Sequence, residues 1–241
     1  MIELQSVTKR FGNFTGVDRL SFQVRPGEVV GLLGENGAGK TTTMRMMATL
    51  LKPTEGEIYV NGYSVRKDSM QVRNQIGLLF GGDVGLYARL TARENIEYFG
   101  RLYGLDRAEV AKRIQHLSET LGMEEFLERR VAAFSRGMKQ KVAIARALVY
   151  DPQVILLDEP TTGLDVTAAH VFHQLITSLR AEDKTILFSS HNLGEVEKLC
   201  NRVVILHNGK SCFEGTVPSL RETYQMTDLE EIFMRIVGGG N

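Results

Sequence analysis

The octapeptide Gly34-Glu35-Asn36-Gly37-Ala38-Gly39-Lys40-Thr41 fits the pattern G-x-x-x-x-G-K-S/T, and nothing else in the chain limits its fold so strongly. Its glycines let successive backbone N–H groups turn inward around a phosphate. A helix must start directly behind them, so that its positive end completes the cradle. Lys40 is then placed to reach the outer phosphates of a nucleotide, and the Thr41 hydroxyl is a candidate Mg²⁺ ligand, with Thr42 beside it. The flanking sequence meets the structural demand. Residues 29–33 form an unbroken apolar run, the pattern of a strand buried on both faces. Residues 41–51 favour a helix, and Pro53 ends it.

A second apolar run, residues 154–157, ends in Asp158-Glu159. On its own this reads as a strand running into a solvated acidic turn. Beside a phosphate loop it has a chemical use, because open α/β sheets bind ligands at the carboxyl ends of their strands. Asp158 is suited to hold Mg²⁺, chiefly through its water shell, and Glu159 to polarise an attacking water as a general base. An Asn-Lys-x-Asp guanine-recognition motif is not found in the sequence.

The rest of the chain sorts into two characters. Alternation at Ile2 and Leu4, and at Leu20, Phe22 and Val24, predicts strands, as do residues 56–60 before the Asn61-Gly62 turn. From about residue 83 to 149 the alternation gives way to helical spacing over 91–103, 107–121 and 138–149, with Thr91 and Glu94 spaced as a capping box. Strands return at 154–157, Thr185–Ser189 and 202–206, separated by helical stretches at 166–179 and Leu193–Leu199. The pattern is an α/β core interrupted by an all-helical insertion. The 241 residues suffice for one such domain, and Lys plus Arg balance Asp plus Glu at 29 each, so no global field points to nucleic acid. Cys200 and Cys212 match no zinc spacing and are expected to be packing thiols. No apolar run reaches the roughly 20 residues that a membrane helix requires, and the N-terminus lacks a signal-peptide pattern, so a cytoplasmic protein is expected.

About twenty residues before the acidic strand lies Phe134-Ser135-Arg136-Gly137-Met138, opening a predicted helix. At this point the chain resembles the ATP-binding-cassette (ABC) ATPases, whose signature is usually written Leu-Ser-Gly-Gly-Gln. Ser135 and Gly137 match it; Phe134, Arg136 and Met138 depart from it. A serine hydroxyl and a glycine N–H at a helix start form an anion site, and the same serine serves as an N-cap. The resemblance implies a P-loop NTPase (RecA-like) core with an antiparallel β region and an inserted α-helical subdomain. It assigns residues 1–82 and 150–225 to the core, 83–149 to the subdomain and 226–241 to a tail that frays at its end.

The same resemblance carries further roles. It implies ATP and Mg²⁺ as cofactors, with Gly34, Glu35, Asn36, Gly37, Ala38, Gly39, Lys40, Thr41 and Thr42 around the phosphates. Thr41 and Asp158 fall to the metal, Glu159 and the switch histidine His191 to catalysis, and Phe11 to stacking on adenine; otherwise Phe11 is a core residue. Ser135 and Gly137 would bind the γ-phosphate held by a second copy, in a homodimer closed by ATP. Thr162-Gly163-Leu164-Asp165 resembles the loop that crosses that dimer interface. The other histidines, His116, His170, His173 and His207, are expected at the surface or in packing. Members usually carry a glutamine where this chain has Gly81, and residues 85–95 resemble the sodium-exporter branch.

These expectations add up to an ATPase at the inner face of the cell membrane, driving export through a separate transmembrane permease. Two other readings remain open in the sequence. One is an ABC ATPase acting on nucleic acid or the ribosome, against which stand a single cassette, no heptad run and no cysteine cluster. The other is a module that holds ATP without hydrolysing it, against which stand Glu159 and His191.

Overall fold

Strand β3 (Val29–Gly34) is buried along its whole length, and its alternating residues feed two different cores. Val30 and Leu32 face one, Val29 and Leu33 the other. A strand with apolar side chains on both faces has to sit inside a sheet covered on both sides. The computed structural model shows this arrangement, and describes residues 1–80, 85–162 and 164–238.

Before β3 come β1 (Ile2–Phe11) and β2 (Phe14–Val24), an antiparallel pair whose register runs from Ile2 opposite Val24 to Phe11 opposite Phe14. After it come helix α1 (Lys40–Met47), β4 (Glu55–Val60), the two-residue β5 (Tyr63–Ser64), α2 (Ser69–Gln75) and β6 (Ile76–Leu79). The helical insertion holds α3 (Ala92–Leu102), α4 (Arg107–Leu121) and α5 (Arg136–Leu148). The chain then runs through β7 (Val154–Asp158), α6 (Val166–Ala181), β8 (Thr185–Ser189), α7 (Leu193–Leu199) and β9 (Arg202–His207). It closes with β10 (Lys210–Gly215), α8 (Val217–Tyr224) and α9 (Leu229–Val237). Among the described residues no helix is long and apolar enough to cross a membrane.

The strands form a four-stranded sheet ordered β2-β1-β4-β5 and a six-stranded sheet ordered β10-β9-β3-β8-β7-β6. In the larger sheet β9, β3, β8, β7 and β6 are parallel and β10 is an antiparallel edge. One core fills the space between the two sheets, around Met44, Met46 and Met47 of α1. The other covers the far face, where α6 packs with the insertion; Ile155 and Leu157 of β7 share it with Val142, Ala143 and Ile144 of α5. The insertion is therefore bound to the core by continuous apolar packing. Thr91 forms the capping box that its spacing to Glu94 predicts.

Several expectations need correction. Cys212 lies on the edge strand β10 and is exposed rather than packed inside; Cys200 is half-buried against the core, as expected of a packing thiol, and burial pushes its thiol far above the ordinary range. Elements α2, β5, β10 and α8 were not expected. The replacement at Gly81, with its neighbours Gly82 and Asp83, falls outside the described residues, as do Gly163 and the last three residues of the tail.

Candidate functional site

The parallel topology brings the carboxyl ends of β3, β7 and β8 to one edge. The phosphate loop leaves β3 there, Asp158 ends β7 and Ser189 ends β8, with Asp158 in register beside Ser189. Gly39 closes the loop as the N-cap of α1 with φ at 104°, a left-handed backbone that only glycine adopts without strain. Lys40 follows, 6% exposed, and its Nζ donates to the carbonyls of Gly34 at 2.6 Å and Glu35 at 3.0 Å. Burial lowers the pKa of this ammonium, while Glu159, Asp158 and Glu35 act to raise it.

Thr41 Oγ1 donates to Asp158 Oδ2 at 2.7 Å, and Ser189 Oγ donates to Asp158 Oδ1 at 2.6 Å. Both carboxylate oxygens are therefore fixed by hydroxyls, one from the first turn of α1 and one from the end of β8. Glu159 is next, with φ at 49°, a left-handed conformation of the kind that concentrates at functional sites. Its N–H is shared by the carbonyl and the hydroxyl of Ser189, at 3.2 and 3.0 Å, which holds the turn against β8. Its carboxylate accepts from Thr162 Oγ1 at 3.2 Å and lies 3.7 Å from His191 Nδ1. Thr41, Asp158, Glu159 and Thr162 line one cleft of about 330 Å³, with Phe80, Arg45 and Arg136 around them. The residues following Glu159 are braced from the insertion, because buried Gln140 of α5 donates to the Pro160 carbonyl at 2.7 Å.

A second cleft, of about 350 Å³, runs along the other side of the loop past Glu35, Asn36, Gly37 and Ala38. Phe14 lines it, and the exposed ring of Phe11 packs close to Gly16 on the same hairpin. His207 also lines it, 3.8 Å from Glu35. His173 packs on α6 as expected, with its Nε2 3.8 Å from the buried Glu195. Ser135 caps α5, accepting from Met138 N–H at 3.2 Å, and Gly137 follows in the first turn. Neither lines the first cleft, although Arg136 between them does.

The fold thus unites Lys40, Thr41, Asp158, Glu159 and His191. Ser189, Gln140 and Arg136 were missed in the sequence. For Ser189 a signal existed, a hydroxyl at the carboxyl end of a buried apolar strand.

The oxygen donors Thr41 and Asp158, already within hydrogen-bonding distance of each other, suit a small hard cation such as Mg²⁺. The loop with its buried lysine suits a chain of phosphates. Comparison with known proteins agrees. Residues 17–162 match the ABC transporter family model. The chain is 51% identical to the ABC transporter ATP-binding protein NatA of Bacillus subtilis, over 97% of both chains. It is 40% identical to the Nod factor export ATP-binding protein I of Paraburkholderia xenovorans, covering 96% of this chain and 76% of that one. Among solved structures, the dimeric post-hydrolysis state of the ATP-binding cassette MJ0796, bound to ADP and Pi, superposes with a TM-score of 0.83 at 29% identity, covering 90% of this chain and 99% of that one. With its phosphate loop, acidic strand end and histidine on one sheet edge, this chain belongs to the ABC transporter family of ATPases, as an ATP-binding subunit.

Proposed function

We propose that this chain is the cytoplasmic motor of an exporter and drives a separate transmembrane permease by hydrolysing ATP between two copies of itself. The observation that carries the proposal is the convergence of Lys40, Thr41, Asp158, Glu159 and His191 at the edge formed by β3, β7 and β8.

In this reading the loop from Gly34 to Thr42 and the start of α1 hold the phosphates, and Lys40 exchanges its carbonyl partners for phosphate oxygens. Thr41 and Asp158 would hold Mg²⁺, which neutralises charge on the outer phosphates. Glu159 accepts a proton from the water that attacks the γ-phosphorus; the bond to the β-phosphate oxygen breaks and leaves ADP and phosphate. His191, beside Glu159, faces the departing phosphate. Ser135 and Gly137 at the start of α5 act on the nucleotide of the partner copy, and Phe11, with Phe14 beside it on the hairpin, packs on the adenine. The MJ0796 dimer supports the two-copy arrangement, and the export function of the Nod factor relative supports the direction. The resemblance of residues 85–95 to the sodium-exporter branch nominates sodium as cargo.

The test is Glu159→Gln, which keeps the shape of the side chain and removes the proton acceptor. With ATP and Mg²⁺, phosphate release falls by roughly 100-fold or more, the range that general-base catalysis supplies. Light scattering then shows an ATP-dependent dimer. Turnover close to wild type, or a monomer at saturating ATP, contradicts the proposal.

A further inference from the structure

Beneath the cleft lies Glu195, a carboxylate for which the reaction above has no use. It is 7% exposed and occupies the third position of α7, whose N-cap Asn192 accepts from its N–H at 3.3 Å. One oxygen, Oε2, accepts from Thr161 Oγ1 at 2.8 Å and from Ser190 Oγ at 3.2 Å. Ser190 Oγ in turn accepts the N–H of Asn192 at 2.9 Å. In a capping box the acid at the third helical position reaches the N-cap N–H itself. Here a serine hydroxyl is interposed, so the carboxylate's hold extends back to the end of β8. The turn Ser190-His191-Asn192 is thereby pinned on both sides of His191. The bond to Thr161 reaches the segment two residues past Glu159. The remaining oxygen, Oε1, faces His173 Nε2 of α6 at 3.8 Å, a buried nitrogen with no hydrogen-bond partner among the described residues.

We infer that Glu195 is a positioning residue for hydrolysis, holding the segments that follow β7 and β8 so that His191 stays beside Glu159. An ionised carboxylate only accepts hydrogen bonds, so the Thr161 and Ser190 hydroxyls both point their protons at it, which fixes both rotors. The charge is itself favoured in the first turn of α7, where the helix N-terminus is positive. Without it Thr161 and Ser190 lose their shared anchor; the bonds from Glu159 N–H to Ser189 still join the strand ends, but the 3.7 Å approach of His191 to Glu159 loses its support beyond them. The inference rests on the roles proposed for Glu159 and His191.

The experiment measures kcat, the KM for ATP and the melting temperature of the full chain for Glu195→Ala, Glu195→Gln and Thr161→Val, with Glu159→Gln alongside. Misplacement of catalytic groups by about 1 Å costs up to about 100-fold, so Glu195→Ala is expected to lower kcat by roughly 10- to 100-fold while the KM for ATP stays within about twofold. The amide oxygen of Glu195→Gln still accepts from both hydroxyls, and this variant recovers kcat to within about threefold of wild type. Thr161→Val lowers kcat too, but adds less than its single effect in the Glu195→Ala background, as residues of one network do. Wild-type kcat in Glu195→Ala, or a fall in kcat that Glu195→Gln shares in full, overturns the inference. Should Glu195→Ala fail to fold, wild-type kcat in Thr161→Val overturns it. The Glu159→Gln control separates the two layers: turnover there removes the site assignment itself, whereas its inactivity beside fully active Glu195 and Thr161 variants removes only the positioning role.

Discussion

Two alanine substitutions in the phosphate loop separate backbone strain from steric conflict. Gly37 and Gly39 both have left-handed backbones, with φ at 86° and 104°. An alanine at either pays a conformational cost of about 1–2 kcal/mol. Their surroundings differ. A Cβ on Gly37 meets nothing within 4 Å, whereas one on Gly39 lies 2.7 Å from the Gly16 carbonyl oxygen and 3.3 Å from a Val17 methyl. Gly16 cannot retreat easily, because the chain there is tied to the β9–β10 turn by the bond from Asp18 N–H to Gly209 O at 2.8 Å. Overpacking of this kind adds about 1–3 kcal/mol. At about 2–4 °C per kcal/mol for a chain of this size, Gly37→Ala lowers the melting temperature by about 2–8 °C, and Gly39→Ala melts a further 2–12 °C lower. Thermal unfolding followed by circular dichroism, without nucleotide, reads both. Equal melting temperatures, or the reverse order, refute the account of how the loop is seated against the β1–β2 hairpin.

Lys40 gives a pH-dependent prediction. Burial holds its pKa below the ordinary 10.5, so in the window between that lowered value and 10.5 the unfolded chain binds a proton that the folded one does not. The contribution of Lys40 to stability therefore improves as pH rises through that window. Phosphates reverse the effect of burial, so nucleotide binding there draws a proton back. Calorimetric binding heats measured in two buffers of different ionisation enthalpy differ for wild type and agree for Lys40→Met; agreement in the wild type contradicts the assignment. Tyr150→Phe tests the joint between insertion and sheet. The hydroxyl donates to the Ile76 carbonyl at 2.7 Å, and the ring stacks on Tyr103 at 3.7 Å. The variant keeps the stack and leaves the carbonyl without that partner, at about 1–3 kcal/mol, read as a lower urea midpoint at unchanged kcat; an unchanged midpoint removes the hydrogen bond from the account.

Legibility in the sequence followed how local the physics is. The strand, glycine loop and helix start from Val29 to Lys40 are specified by neighbours in the chain and form where the pattern puts them; the helix was expected to run to residue 51 but ends at Met47, and Thr49 just beyond it takes a left-handed φ of 62°. The Thr91 cap is equally local. Edge strand β10 was invisible because most of its residues are exposed, so it has no alternation to read. Helix α2 buries only Val72, too little for a periodic signal. Among candidate site residues, Lys40, Thr41, Asp158, Glu159 and His191 came together, Ser135 and Gly137 stayed outside their cleft, and Ser189, Gln140 and Glu195 escaped notice. What each does depends on a partner from another segment: Asp158, Pro160 and Thr161 respectively. His207 and His173 gained their neighbours in the same way.

The position of β3, third in a row of six, also sets a timetable for synthesis. Its hydrogen-bonded neighbours are β9 and β8, with Val29 beside Ile186 and Gly34 beside Leu206. A nascent chain that has just completed the phosphate loop has neither flanking strand to offer it. At the usual pace of translation the partners emerge on the order of 10–30 s later. The smaller sheet, whose strands all lie within the first 64 residues, can pair in the meantime. Until β8 exists both edges of this apolar strand are open, and until β9 exists one still is, which is the kind of segment that draws chaperones or aggregates. Nucleotide can meet a finished cradle only near the end of synthesis, so competence to burn ATP arrives late and all at once.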